Sequence, residues 1–184
     1  VKSPVVFDID GVLADFYAGY WRVCREIGKP EPRIGNWDDF WDRDVWAVIK
    51  KSSDFWLMLP PCVSRNTFKR ISLLRDERDV YFATSRPGLH TLWQSTDWLE
   101  SQLIRRPSVI VTSRKGEFCK VVDAGYLIDD KAGNVVYTAY ESPTTTACLL
   151  DTVYNQFDQN VLGSKVRRVE SVDEFLDLVE TEGR

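Results

Sequence analysis

Val5-Val6-Phe7-Asp8-Ile9-Asp10-Gly11 is a short apolar, β-branched run that ends in acids and a glycine. It reads as a strand of a parallel sheet, buried on both faces and running into a loop. Three later segments repeat this grammar: Val80-Tyr81-Phe82-Ala83-Thr84, Ser108-Val109-Ile110-Val111-Thr112 and Tyr126-Leu127-Ile128-Asp129. Ala147-Cys148-Leu149-Leu150 predicts a fifth strand. Between the strands lie helical stretches, the clearest carrying Leu89, Leu92, Trp93, Thr96, Leu99 and Leu103 on one apolar stripe. The capping box Ser171-Val172-Asp173-Glu174 begins a last helix that turns Val172, Phe175, Leu176 and Val179 inward. Strands alternating with helices predict an α/β fold with a doubly wound parallel sheet.

The spacing is uneven in one place. Strand one ends near residue 10 and the next core strand starts near residue 80, an interval too long for one crossover helix. We therefore expect a core of residues 1–15 and 77–184 and a small helical cap at 16–76. Residues 16–56 hold 10 of the 23 aromatics of the chain: Phe16, Tyr17, Tyr20, Trp21, Trp37, Phe40, Trp41, Trp46, Phe55 and Trp56. A small cap needs large side chains for its own core, and a flat ligand such as a nucleobase needs rings to stack on. The two readings are compatible, for different residues, and the sequence leaves open which ring takes which.

At 184 residues the chain supports one main core plus a modest insert. A net charge of −4 lacks the basic excess of a protein that binds nucleic-acid polymers. No apolar run approaches the ~20 residues that span a bilayer, and Val1-Lys2-Ser3-Pro4 carries no signal-peptide hydrophobic region. The expectation is a soluble cytoplasmic protein without a membrane partner. Cys24, Cys62, Cys119 and Cys148 are widely spaced with no C-x-x-C pair, and read as reduced, mostly buried thiols. No P-loop motif of a nucleotide kinase occurs.

In open parallel sheets ligands bind beyond the carboxyl ends of the strands. Those ends deliver Asp8 and Asp10, then Thr84 and Ser85, then Lys115, then Asp129 and Asp130. Clustered carboxylates repel one another unless a cation neutralises them, and an all-oxygen set selects a hard ion such as Mg2+. A hydroxyl pair and a lysine opposite the metal would clamp the remaining oxygens of a phosphate. Lys120 is a rival to Lys115, but Lys115 follows a strand and opens a helix whereas Lys120 falls inside it. His90, the only histidine, reads as a helix-surface residue.

Taken in order, Phe7-Asp8-Ile9-Asp10-Gly11-Val12, Thr84-Ser85, Lys115 and Ile128-Asp129-Asp130 resemble the four motifs of the haloacid dehalogenase (HAD) superfamily of phosphohydrolases. The resemblance implies that Asp8 attacks phosphorus to form an aspartyl-phosphate and that Asp10 is the acid and then the base. It implies Mg2+ held by Asp8, the backbone carbonyl of Asp10 and Asp130, with Asp129 direct or through water.

Asp8-Ile9-Asp10-Gly11-Val12-Leu13-Ala14-Asp15-Phe16 further resembles the extended first motif of the 5′(3′)-deoxyribonucleotidase branch, in which the Phe lines the base pocket. Phe55-Trp56-Leu57-Met58-Leu59-Pro60-Pro61 is similar to its cap-exit segment and Tyr154-Asn155 to a late Tyr-Asn motif; Phe40-Trp41 and Trp46 match its cap aromatics loosely. The branch implies a small phosphomonoester, a nucleoside monophosphate, as partner, and admits a homodimer. The second motif of the branch continues Thr-Ser-Pro, whereas this chain reads Thr84-Ser85-Arg86-Pro87. Arg86 reads either as an added phosphate contact or as a surface residue before a helix-starting proline. Alternatives are a phosphatase of another small metabolite, a receiver-like domain phosphorylated on Asp, and a regulatory protein on a phosphatase scaffold.

Overall fold

Alternate residues of the central strands enter two different apolar layers. Val5, Phe7 and Ile9 join one buried cluster and Val6 the other; Phe82 and Ile128 side with the first, Ala83 and Leu127 with the second. A sheet covered on both faces needs such continuous apolar strands. The computed structural model describes residues 2–32, 37–155 and 166–182. The strands β1 (Val5–Asp8), β2 (Val80–Thr84), β3 (Ser108–Val111), β4 (Tyr126–Asp129), β5 (Thr146–Leu150) and β6 (Val166–Val169) form one parallel sheet in the order β3-β2-β1-β4-β5-β6.

Helices α1 (Phe16–Glu26), α2 (Arg43–Lys51), α3 (Arg65–Leu74), α4 (Thr91–Ser101), α5 (Lys115–Val121), α6 (Ala132–Glu141) and α7 (Val172–Glu182) complete the fold, with a 3-10 turn at Trp37–Phe40. Side chains of α3, α4 and α7 fill the first apolar layer, and those of α5 and α6 the second. Ser171 caps α7 through the Glu174 amide, while the Glu174 carboxylate reaches back to the amide of Glu170 rather than to that of Ser171. No helix among the described residues is long and apolar enough to cross a membrane. Cys24, Cys119 and Cys148 are buried thiols, and Cys62 is an exposed one.

Two expectations need correction. The sheet has a sixth strand, because Val166-Arg167-Arg168-Val169 is an edge strand with an exposed arginine and lacks a continuous apolar run. Helix α4 starts at Thr91, after Gly88 at φ 127°, and presents a different face from the predicted stripe. Leu89, Leu92, Trp93 and Leu103 are exposed, while Thr91, Gln94, Ser95, Trp98 and Leu99 are buried. Polar groups go inward here because each finds a partner: Gln94 Nε2 donates to Ser53 O, Trp98 Nε1 to Leu59 O, and Ser95 Oγ accepts from Arg86.

The chain leaves and re-enters the core through a two-stranded stem. Asp15 N donates to Pro60 O and Cys62 N to Leu13 O, each at 2.7 Å, with Ala14 and Pro61 bridged antiparallel. Between the stem strands, Phe16 is the hub of an aromatic cluster, its ring 5.5–6.3 Å from those of Tyr20, Trp37, Phe40, Trp46, Phe55 and Trp56. Such offset and edge-on packing gives a small helical layer a core. Beyond the stem, α3 lies against α7, with Thr67 Oγ1 donating to Asp173 and Arg70 pairing with Asp173, Asp177 and Glu180.

Candidate active site

The order of the sheet reverses between β1 and β4, so the loops after these strands diverge and leave a crevice there. Asp8 ends β1 and Asp129 ends β4, on strands paired in register with Phe7 opposite Ile128. After β1 the backbone turns at Gly11, φ 81°. A Cβ there would lie 1.7 Å from Asp130 Oδ2 and 2.5 Å from the Tyr154 hydroxyl, so only glycine lets this loop close on the acids.

Lys115 opens α5 and is buried, as are Asp8, Asp129 and Asp130. Its ammonium lies 2.7 Å from Asp8 Oδ1 and 2.5 Å from Asp129 Oδ2. Lys120 is exposed, so the geometry selects Lys115. Burial alone would lower the Lys115 pKa; the charges of Asp129 and Asp8 outweigh it and raise it above the usual lysine range. Burial pushes the Asp8 carboxyl up to about 7 despite Lys115, with Asp129 and Asp10 adding to the rise. Burial, then the charges of Asp8 and Asp129, also hold Asp130 well above the usual carboxylate range.

These acids fit a divalent cation. Oxygens of Asp8, Asp129 and Asp130 lie within 4.8 Å of one another. Fully ionised and set against the Lys115 ammonium, they leave two negative charges uncompensated. Asp130 Oδ1 is buried with no hydrogen-bond partner, while Oδ2 accepts from Tyr154 OH at 2.7 Å. Burial and the Asp130 charge raise the Tyr154 phenol, which keeps it a donor. Asp129 is saturated by Lys115, by Lys131 N and by Asn134 Nδ2 on both oxygens. Asp130 therefore has a free oxygen to offer, and Asp129 serves first as the acceptor that orders Lys115. A buried unpaired carboxylate oxygen is costly unless a cation or donor completes it.

Asp10 stands apart from this cluster. Its Oδ2 accepts from Thr84 Oγ1 at 3.1 Å, and the Arg86 guanidinium forks onto both oxygens at 2.8–3.0 Å. Arg86 is buried, so it is not a surface residue; its guanidinium is turned to Asp10, and it is absent from the lining of the cavity above the acids. The sequence concealed this because the partner lies 76 residues away.

A cavity of about 290 Å³ covers the acids, with Asp8, Asp10, Asp130, Ser85 and Asn134 at its polar end and Trp37, Phe40, Trp41 and Trp46 on its cap side. Lys50 and Lys131 also line it. Phe16, expected on the wall, lies within the cap core instead; Phe40 is buried, Trp46 half-buried, and Trp41 69% exposed. The structure thus brings Asp8, Asp10, Ser85, Asp130 and the three cap aromatics Phe40, Trp41 and Trp46 to one cavity. Thr84, Lys115, Asp129 and Arg86 stand behind its lining residues and hold them. The sequence singled out Trp37 only as one of ten clustered aromatics, and it pointed to no role for Asn134, Lys131 or the Tyr154 hydroxyl. Asn134, five residues after Asp129 and on the first turn of α6, was the most findable. His90 sits exposed at the N-terminus of α4.

No protein-family model and no curated protein matches the sequence. Solved structures do. A HAD-superfamily hydrolase of subfamily IA from Geobacter sulfurreducens PCA aligns over 97% of this chain and 100% of its own, with 14% identity and a TM-score of 0.59. A HAD family hydrolase from Deinococcus radiodurans R1, solved with phosphate and sodium, aligns over 98% of this chain and 96% of its own, with 13% identity and a TM-score of 0.61. At these identities the likeness is one of fold: the chain has the Rossmann-like α/β fold of the HAD hydrolases.

Proposed function

We propose that this protein is a Mg2+-dependent phosphomonoesterase that cleaves small monophosphates, foremost (deoxy)nucleoside monophosphates, through an aspartyl-phosphate on Asp8. One observation carries the reading: a single cavity joins a floor of acids, backed by Lys115, to a wall of cap aromatics. Asp8 Oδ1 is held by Lys115 and by the Ile9 amide, so the carboxylate is fixed and its other oxygen is left for attack. Mg2+, held by Asp8 and Asp130, would neutralise charge on the phosphoryl oxygens and on the acids.

In the first half-reaction an Asp8 oxygen bonds to phosphorus as the ester P–O bond breaks, and Asp10 gives its proton to the departing alkoxide. In the second, Asp10 takes a proton from water, the new oxygen bonds to phosphorus, and Asp8 leaves as a carboxylate. Ser85 lines the cavity, where its hydroxyl can donate to a phosphate oxygen.

The nucleotide preference rests on the rings of Trp37, Trp41 and Trp46 that line the cavity, where stacking on a base is worth ~1–3 kcal/mol. A cavity of about 290 Å³ suits a monophosphate rather than a polymer or phosphoprotein. The cap in this reading runs between the stem strands at 13–15 and 60–62, which leaves α3 in the core. The test is phosphate release from 5′- and 3′-deoxy- and ribonucleoside monophosphates beside small sugar phosphates, with Mg2+ and with chelator. Chelator-sensitive release favouring nucleotides supports the reading. Release from sugar phosphates alone removes the nucleotide assignment, and silence throughout removes the phosphatase.

A further inference from the structure

Arg86 does not line the cavity, yet its side chain is 0% exposed and every part of it is engaged. Nε lies 3.0 and 2.9 Å from the two Asp10 oxygens, Nη2 is 2.8 Å from Oδ1, and Nη1 donates to Ser95 Oγ at 3.0 Å. The guanidinium carbon stands 4.8 Å from the centre of the Trp56 ring, in the cap-exit segment. The Arg86 backbone amide donates to Thr84 Oγ1, whose hydroxyl donates to Asp10 Oδ2. Asp10 is thus gripped from one side by a fork and from the other by a hydroxyl that the same residue orients.

A buried guanidinium is costly unless its donors are matched, and these donors are spent on one carboxylate and one hydroxyl. A carboxylate rotates freely about its last torsion, whereas a bidentate fork fixes its plane. We infer that Arg86 is a positioning residue: it sets the plane of the Asp10 carboxylate at the cavity wall and, through Trp56 and Ser95, ties that plane to the cap exit and to α4. The inference rests on the phosphatase reading, in which Asp10 protonates the leaving group. It also accounts for the departure from Thr-Ser-Pro and for the inward turn of Ser95 on α4.

The experiment compares kcat/KM, which reports steps up to the first irreversible transfer, for a deoxynucleoside 5′-monophosphate and for p-nitrophenyl phosphate. An alkoxide needs a placed proton donor to leave; p-nitrophenolate does not. A misplacement of about 1 Å costs on the order of 100-fold, so Arg86→Lys should lose roughly that on the nucleotide and less than about 5-fold on the aryl ester. Asp10→Asn should show the same split, and adding Arg86→Lys to it should cost nothing more. Ser95→Ala, which removes one anchor of the fork, should show the split in weaker form and serves if Arg86→Lys does not fold. Millimolar methylguanidinium should restore part of the nucleotide activity of Arg86→Ala. Equal losses on both substrates, or additive losses in the double variant, overturn the inference while the phosphatase stands. A wild-type protein silent on every monophosphate overturns both.

Discussion

Metal binding should appear first as stability, and Asp130→Asn should abolish that gain. In the metal-free fold Asp8 holds its proton up to about pH 7, against an ordinary value of 3.8, and Asp130 is raised as well. The folded state therefore binds protons that the unfolded chain has already released. Stability from Asp8 is complete at low pH and is lost as pH rises from about 4 through about 7, and Asp130 adds a loss of the same sign. At roughly 1.36 kcal/mol per unit, the Asp8 part of that loss is at most about 4 kcal/mol, and Asp130 adds to it. A divalent cation at about 100 times its Kd returns about 2.7 kcal/mol, or roughly 5–10 °C in Tm for a chain of this length. In Asp130→Asn the Tyr154 hydroxyl keeps an oxygen acceptor and one buried ionisable group disappears. Metal-free, this variant should melt at or above the wild type, should lose less stability than it between pH 5 and pH 7.5, and should shift by less than about 2 °C with Mg2+. Thermal melts by circular dichroism at the two pH values, with chelator or with Mg2+, read all three. A wild-type Tm indifferent to Mg2+, or an undiminished shift in Asp130→Asn, would refute the argument.

Gly11→Ala should lose the Mg2+-dependent stabilisation and phosphate release together, because its Cβ would overlap Asp130 Oδ2 at 1.7 Å; an active variant would show that the loop closes elsewhere. Phe16→Ala should lower stability by about 3–5 kcal/mol, the cost of emptying a buried phenylalanine site. Trp41→Ala, at an exposed ring, should leave the melt within about 1 °C and weaken nucleotides more than p-nitrophenyl phosphate. Unequal effects reversed between these two variants would mean that Trp41 belongs to the cap core and Phe16 to the wall.

The central strands were readable because a strand buried on both faces must be apolar throughout and because its polar terminal residue announces a site. Asp8, Thr84 and Asp129 all follow that rule. Lys115 was readable from its place at a helix start. Strand β6 was not, since an edge strand tolerates Arg167 and Arg168. The face of α4 failed for a related reason. Hydrophobic periodicity assumes that apolar residues go inward, whereas Gln94 and Ser95 are drawn in by hydrogen bonds to the cap and to Arg86. The cap aromatics could be recognised as a group, but which rings become core and which become wall depends on packing around Phe16 that composition does not encode. Tyr154 and Asn155 likewise matched a motif without revealing their contacts, which are to the Asp130 carboxylate and to the carbonyls of Asp130 and Leu150.

The most direct test of the central claim is phosphate release by Asp8→Asn beside the wild type, at saturating Mg2+ and on the best nucleotide substrate. The amide is a poor nucleophile, so the account predicts a loss of at least about 1,000-fold together with a folded protein by circular dichroism. Phosphate release by Asp8→Asn within about tenfold of the wild type would contradict it, because no covalent intermediate on Asp8 could then lie on the path.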